Sequence, residues 1–123
     1  MVSLFVFYLS FTLFDCISAG TALAREAKVA TWADGKVSQD VEGLFSKVVQ
    51  AVIQALEALQ LNITKTTIGK DTAQIIGEYL DSRTIWIDLR RISQHSTHLE
   101  IRVSIKGNKE ASYKIWQKIK SFL

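Results

Sequence analysis

The sequence predicts a two-layer α+β domain behind an N-terminal signal segment: an antiparallel sheet of four to five strands with two helices on one face, in the order β-α-β-β-β-β-α. Three observations carry that expectation. Apolar residues recur every three or four positions over Glu42–Gln60 and again over Lys109–Leu123, the period of a helix with one buried side. Between these segments, apolar and polar residues alternate, the period of strands with one face in a core. Residues 1–24 fit neither pattern and carry a single charge, Asp15.

The N-terminal segment reads as an address. Leu4–Phe14 is apolar apart from Ser10 and Thr12. A membrane-spanning helix needs ~20 apolar residues, whereas a signal-peptide core needs ~7–15. Two processing sites compete. Ala22-Leu23-Ala24 suits an ordinary signal peptidase. Leu13-Phe14-Asp15-Cys16 resembles a lipobox, in which Cys16 is lipidated and becomes the mature N-terminus, although Asp15 stands where a small residue is usual. A retained membrane helix is the third option, with Asp15 near its middle. The expected organisation is a leader over 1–24, cleaved before Cys16 or after Ala24, a tether over 25–35, and one domain over 36–123. The expected location is the cell envelope, on the periplasmic side. The membrane is reached through the lipid or the leader; without the lipid the chain is exported and soluble.

Composition narrows the classes. A chain of 123 residues with 48% hydrophobic and 22% charged residues has room for one globular domain. Its one cysteine excludes a disulfide scaffold.

Each element has its own signature. A weak strand is expected within Thr31–Gln39. In the first helix Leu44, Val48, Val52 and Leu56 form the stripe, widened by Phe45, Val49, Ile53 and Leu59, with Asp40 as N-cap. Leu61 and Ile63 open a short strand that ends at Gly69. Ala73, Ile75, Gly77 and Tyr79 then alternate with polar positions, as do Ile85, Ile87 and Leu89, and Leu99, Ile101, Val103 and Ile105. Burial on one side demands that odd positions face odd positions. Pairing Ile87 with Val103 and Leu89 with Ile101 meets that demand and sets Asp88 opposite Arg102 and Arg90 opposite Glu100. In the preceding hairpin, Tyr79 is placed opposite Ile85. Asn108 caps the last helix, whose buried side is Ala111, Ile115, Trp116, Ile119, Phe122 and Leu123.

Several runs carry a family resemblance. They are the apolar leader ending in Cys16, the tether, the short strand Gly35-Lys36-Val37, the helix end Ala55-Leu56-Glu57-Ala58-Leu59-Gln60-Leu61-Asn62-Ile63, and the strand His98-Leu99-Glu100-Ile101-Arg102-Val103. In these the chain resembles the DUF3568 family, small bacterial proteins of unknown function that are mostly predicted lipoproteins. The resemblance implies lipidation of Cys16 and supplies no catalytic residue.

Chemical motifs are sparse. His95 and His98 sit in one loop by this reading and lack further ligands at metal-site spacing. Ser93, Ser96 and His95 lack the acidic partner of a triad. Glu78 and Asp88 are expected to meet arginines rather than each other. No phosphate-binding glycine loop is present. Lys109, Lys114, Lys118 and Lys120 lie on the last helix, but a net charge of +4 over residues 25–123 is weak for nucleic-acid binding; a solvated helix face is the expected reading, ahead of a face toward an anionic bilayer. No cofactor, metal site or nucleic-acid partner is expected, and no enzymatic activity.

One feature stands out. Trp86 falls on the non-core face, with Ile76 and Leu80 as expected diagonal neighbours, and the three form a candidate patch for a protein partner. The expected cover, if any, is the segment around Trp32. The resulting expectation is a non-enzymatic envelope protein that acts by binding. The alternative is a small periplasmic ligand-binding protein or enzyme using the open sheet face.

Overall fold

The computed structural model describes residues 30–123, so the expectations for the leader and Cys16 lie outside the described residues. The two-layer α+β class holds. Six strands form one antiparallel sheet: β1 (Thr31–Ala33), β2 (Lys36–Glu42), β3 (Asn62–Ile68), β4 (Thr72–Glu78), β5 (Thr84–Ser93) and β6 (Ser96–Val103). Their order across the sheet is β1-β2-β6-β5-β4-β3. Two helices, α1 (Phe45–Ala58) and α2 (Lys109–Ser121), cover one face. Helix α1 packs on β3 to β6, and α2 on β2, β6 and α1.

The extra strand comes from Asp34-Gly35. Both residues have positive φ (54° and 77°), as a two-residue hairpin turn of the primed type requires. The weak strand expected over Thr31–Gln39 is therefore a hairpin, with Ala33 opposite Lys36 and Trp32 opposite Val37. Trp32 shares Val37's face and packs against the core. It does not cover Trp86, which lies on the opposite face.

The core follows the alternation. Val37, Val41, Ala73, Ile75, Ile85, Ile87, Leu89, Leu99, Ile101 and Val103 point under the helices and are buried. Val48, Val52, Ala55 and Leu56 of α1 and Ile115, Trp116 and Ile119 of α2 meet them. Fully burying each such aliphatic chain is worth roughly 1.5–3 kcal/mol. The ends of the helical stripes differ from expectation. Leu44, Leu59, Phe122 and Leu123 are exposed because both helices end inside those positions.

Both predicted registers are displaced by two residues. Ile87 pairs with Ile101, and Ile85 with Val103. Gly77 pairs with Ile85, and Ile75 with Ile87. Alternation fixes only parity, since a two-residue slip leaves every apolar chain in the core; the loops make the choice. Ser93 pairs with Ser96 around a tight turn, with a register shift between Arg91 and Ser93. Tyr79 N donates to Arg83 O at 2.9 Å, so the β4–β5 hairpin closes at Glu78 opposite Thr84. The expected Asp88–Arg102 and Arg90–Glu100 pairs are thereby lost.

The caps are mixed. Asn108 Oδ1 accepts from Ala111 N at 3.0 Å, as expected of an N-cap. Asp40 lies within β2, and the α1 N-cap is Leu44 with no side-chain bond. At the other end of α1, Gln60 has φ 59° and Leu61 N donates to Leu56 O at 2.9 Å, a Schellman closure.

Strand β6 stops at Val103 because Ser104 turns to φ 62°. Ile105 therefore leaves the core pattern in which it was expected and is 83% exposed. Equilibrium unfolding should separate the two environments. Ile87→Ala, beneath the helices, should cost about 2–5 kcal/mol, and Ile105→Ala should stay within about 0.5 kcal/mol of the parent.

Candidate functional site

The face of the sheet opposite the helices is built from the even-numbered residues of β2, β4, β5 and β6, and the observed registers order them into three rows. The first row runs Arg102, Trp86, Ile76. The second runs Ser38, Glu100, Asp88, Gln74, and the third Asp40, His98, Arg90, Thr72. The face thus grades from an apolar row into an ionic field.

Trp86 and Ile76 are half-buried and directly opposite one another. Sequence reasoning places Glu78 there instead and adds Leu80 to the patch. Leu80 lies in the β4–β5 turn, beyond the last sheet pair, and is fully exposed (105%). What replaces it is Ile105. That side chain joins Trp86, Lys36, Asp88, Glu100 and Arg102 around a shallow depression of about 360 Å³. The missed signal was the break after Val103. Ile105 continues the odd-number alternation in sequence, and only the turn at Ser104 moves it to the other side of the sheet.

Each acid of the ionic rows has a partner on the face. Lys36 Nζ donates to Glu100 Oε2 at 2.8 Å. His98 contacts Asp40 Oδ1 through Nδ1 at 2.6 Å and Glu100 Oε1 through Nε2 at 3.1 Å. Both contacts are hydrogen bonds to carboxylates only when both ring nitrogens carry hydrogen. His98 is thus a strand residue fixed between two acids, not the solvated loop residue expected beside His95. Gln74 Nε2 donates to Asp88 Oδ1 at 2.9 Å. Arg102 Nη2 donates to Asp34 O at 2.9 Å, which ties the β1–β2 turn to this end of the face. The pairing sets Asp88 beside Glu100, a repulsive juxtaposition that Lys36, His98 and Gln74 offset.

Lys36 holds the Glu100 carboxyl below its usual range, with a smaller contribution from His98 against a partial burial cost. Asp40 and Glu100 lie on opposite ring nitrogens of His98, so these three groups do not converge on a common point. Among the described residues no cluster of three His, Cys, Asp or Glu side chains is arranged to hold a metal ion. Among the same residues no helix is long and apolar enough to cross a membrane.

With this geometry in view, the comparison with known families identifies the chain. The family model described as "Protein of unknown function (DUF3568)" matches residues 2–121. The chain belongs to that family. No curated protein matches it.

The depressed Glu100 carboxyl fixes the sign of a pH effect. A group whose folded pKa lies below its unfolded value of ~4.3 stabilises the fold above that value and loses the contribution as pH falls through the folded pKa. Glu100→Gln should therefore lower stability at neutral pH, with the gap to the parent closing in acid below about pH 4. Denaturant titrations across that range measure it.

Proposed function

We propose that the chain is a cell-envelope protein anchored by lipid on Cys16, and that its folded domain acts without catalysis, by binding a protein partner on the open sheet face. The observation that carries the binding half is that Trp86, with Ile76 as its cross-strand partner, shares a depression with Ile105 and with the charged Lys36, Asp88, Glu100 and Arg102. Protein interfaces pair a desolvated aromatic anchor with a polar, Arg-containing rim in this manner. Trp86 is the anchor, Arg102 and the Lys36–Glu100 pair form the rim, and the half-exposed ring retains area that a partner can bury. The acids of the site already accept bonds from Lys36, His98 and Gln74, which favours recognition over proton transfer. The shallow, outward-open form of the depression supports a protein surface in preference to a small enclosed ligand.

The anchoring half rests on the sequence of the leader, where an apolar run too short for a membrane span ends at Phe14, two positions before Cys16, and on a family in which lipoproteins are commonly predicted.

Two variants of the full chain test the two halves. Trp86→Ala should leave the domain folded, at a cost of about 1–2 kcal/mol for the lost packing on Ile76, while abolishing co-purification of the envelope partner that the parent captures. Retained capture would remove the binding face. Cys16→Ser should shift the protein from the membrane to the soluble fraction or leave it unprocessed. Unchanged fractionation with unchanged mass would remove the lipid anchor.

A further inference from the structure

The positive charge of the domain is concentrated in one place. Between Lys106 and Lys120 there are five lysines (Lys106, Lys109, Lys114, Lys118, Lys120) and one acid, Glu110. The rest of residues 30–123 holds eight basic and nine acidic side chains. Helix α2 and its approach therefore carry about +4 on a body that is otherwise slightly negative.

That charge is largely uncompensated. The acidic contact of Lys114 is Glu110 at 3.9 Å, between side chains that are both mostly exposed, and such a pair contributes little. Lys120 Nζ lies over the Trp116 ring at 5.9 Å, which leaves its charge free to act outward. At 100° per residue Lys109 and Lys120 fall at one border of the outward arc and Lys118 toward the other, with Lys114 nearer its middle and Glu110 between the two pairs. The buried Ser112, Ile115, Trp116 and Ile119 occupy the inward side. Lysine stems at such borders can reach along a helix to a surface lying against it.

The point of chain entry falls beside this helix. Ala30 is buried in the core, and its carbonyl accepts a hydrogen bond from Tyr113 Oη of α2 at 3.1 Å. Thirteen residues lie between Cys16 and Ala30, among them Arg25, Glu26 and Lys28, and a chain of that length spans at most about 50 Å. A domain held this close to an anchored Cys16 meets the surrounding bilayer at high effective concentration.

We propose that α2 is a docking face for the anionic headgroups of the bilayer that holds the N-terminal anchor. The proposal rests on the anchored reading of the leader. Charge complementarity selects the occupant: juxtamembrane lysines are attracted to an anionic lipid surface within about one Debye length. The layer order adds a consequence. The helices lie on one side of the sheet and the Trp86 face on the other, so docking through α2 turns the Trp86 face away from the bilayer and toward a partner.

The test uses the full chain with preformed vesicles, either pure phosphatidylcholine or containing about one-third phosphatidylglycerol, and reads amine labelling lysine by lysine. Lys109, Lys114, Lys118 and Lys120 should label severalfold more slowly on the anionic vesicles than on the neutral ones. Lys65 and Lys70, at the distant β3 edge, should label alike on both. In 1 M salt, where the Debye length is about 3 Å, the protection should vanish while the chain stays on the vesicles. Equal labelling of the α2 lysines on the two vesicle types overturns the proposal, as does equal protection of Lys65 and Lys70. Equal or stronger protection of α2 by duplex DNA also overturns it and reassigns the face to nucleic acid. If the chain leaves the vesicles in high salt but shows α2 protection in low salt, docking stands and the anchor falls.

Discussion

The architecture turns on a backbone-to-backbone contact between two tight turns. A Cβ on Gly107 would lie 2.7 Å from the Gly35 Cα, and one on Gly35 would lie 3.3 Å from the Lys106 carbonyl oxygen. Both glycines adopt positive φ, 77° at Gly35 and 83° at Gly107, where side chains are disfavoured. The β1–β2 turn can thus seat directly against the connection from β6 to α2. That contact aligns β2 beside β6, and Arg102 reinforces it by donating to Asp34 O. The same connection stops β6 at Val103, turns Ile105 out of the core and starts α2 at its Asn108 cap. The apolar end of the open face and the basic helix both follow from this junction.

From there, each face of the sheet obeys a different rule. Under the helices the requirement is burial, met by aliphatic chains from β2, β4, β5 and β6 that exclude water. On the other face the requirement is satisfaction of charge. Asp88 and Glu100, forced side by side by the register, persist because a lysine, a histidine and a glutamine each supply a hydrogen. Only the first row departs from this logic, since Trp86 and Ile76 gain little from facing water. Ile105 arrives beside them by a different route, through the turn after β6. Two independent local causes placing apolar surface at one end of a polar face is the physical basis for reading that end as a binding site.

The fold class, the two helices and the identity of the core strands were readable because they depend on periodicity, and periodicity survives in a single sequence. Register was not, because Ile87 lies equally well opposite Ile101 or Val103 as far as burial is concerned, and the loops decide. The β1–β2 hairpin had a local signal in Asp34-Gly35, a pair favoured in two-residue turns, but the short flanks of β1 hid it. Of the candidate patch, Trp86 and Ile76 were visible as apolar residues at polar positions. Leu80 and Ile105 exchanged roles because strand ends are set by backbone turns at Tyr79–Arg83 and Ser104, and alternation continued past both. The His98 network was invisible for another reason: Asp40 lies 58 residues away in sequence, and only the β2–β6 register brings it to the ring.

The central claim is that the junction between the two turns holds this end of the molecule in place. Equilibrium unfolding of Gly107→Ala tests it most directly, since a methyl group there must displace the Gly35 backbone and sit at a φ that alanine resists. A loss of about 1–3 kcal/mol is the predicted result. Stability unchanged within about 0.5 kcal/mol would contradict the account.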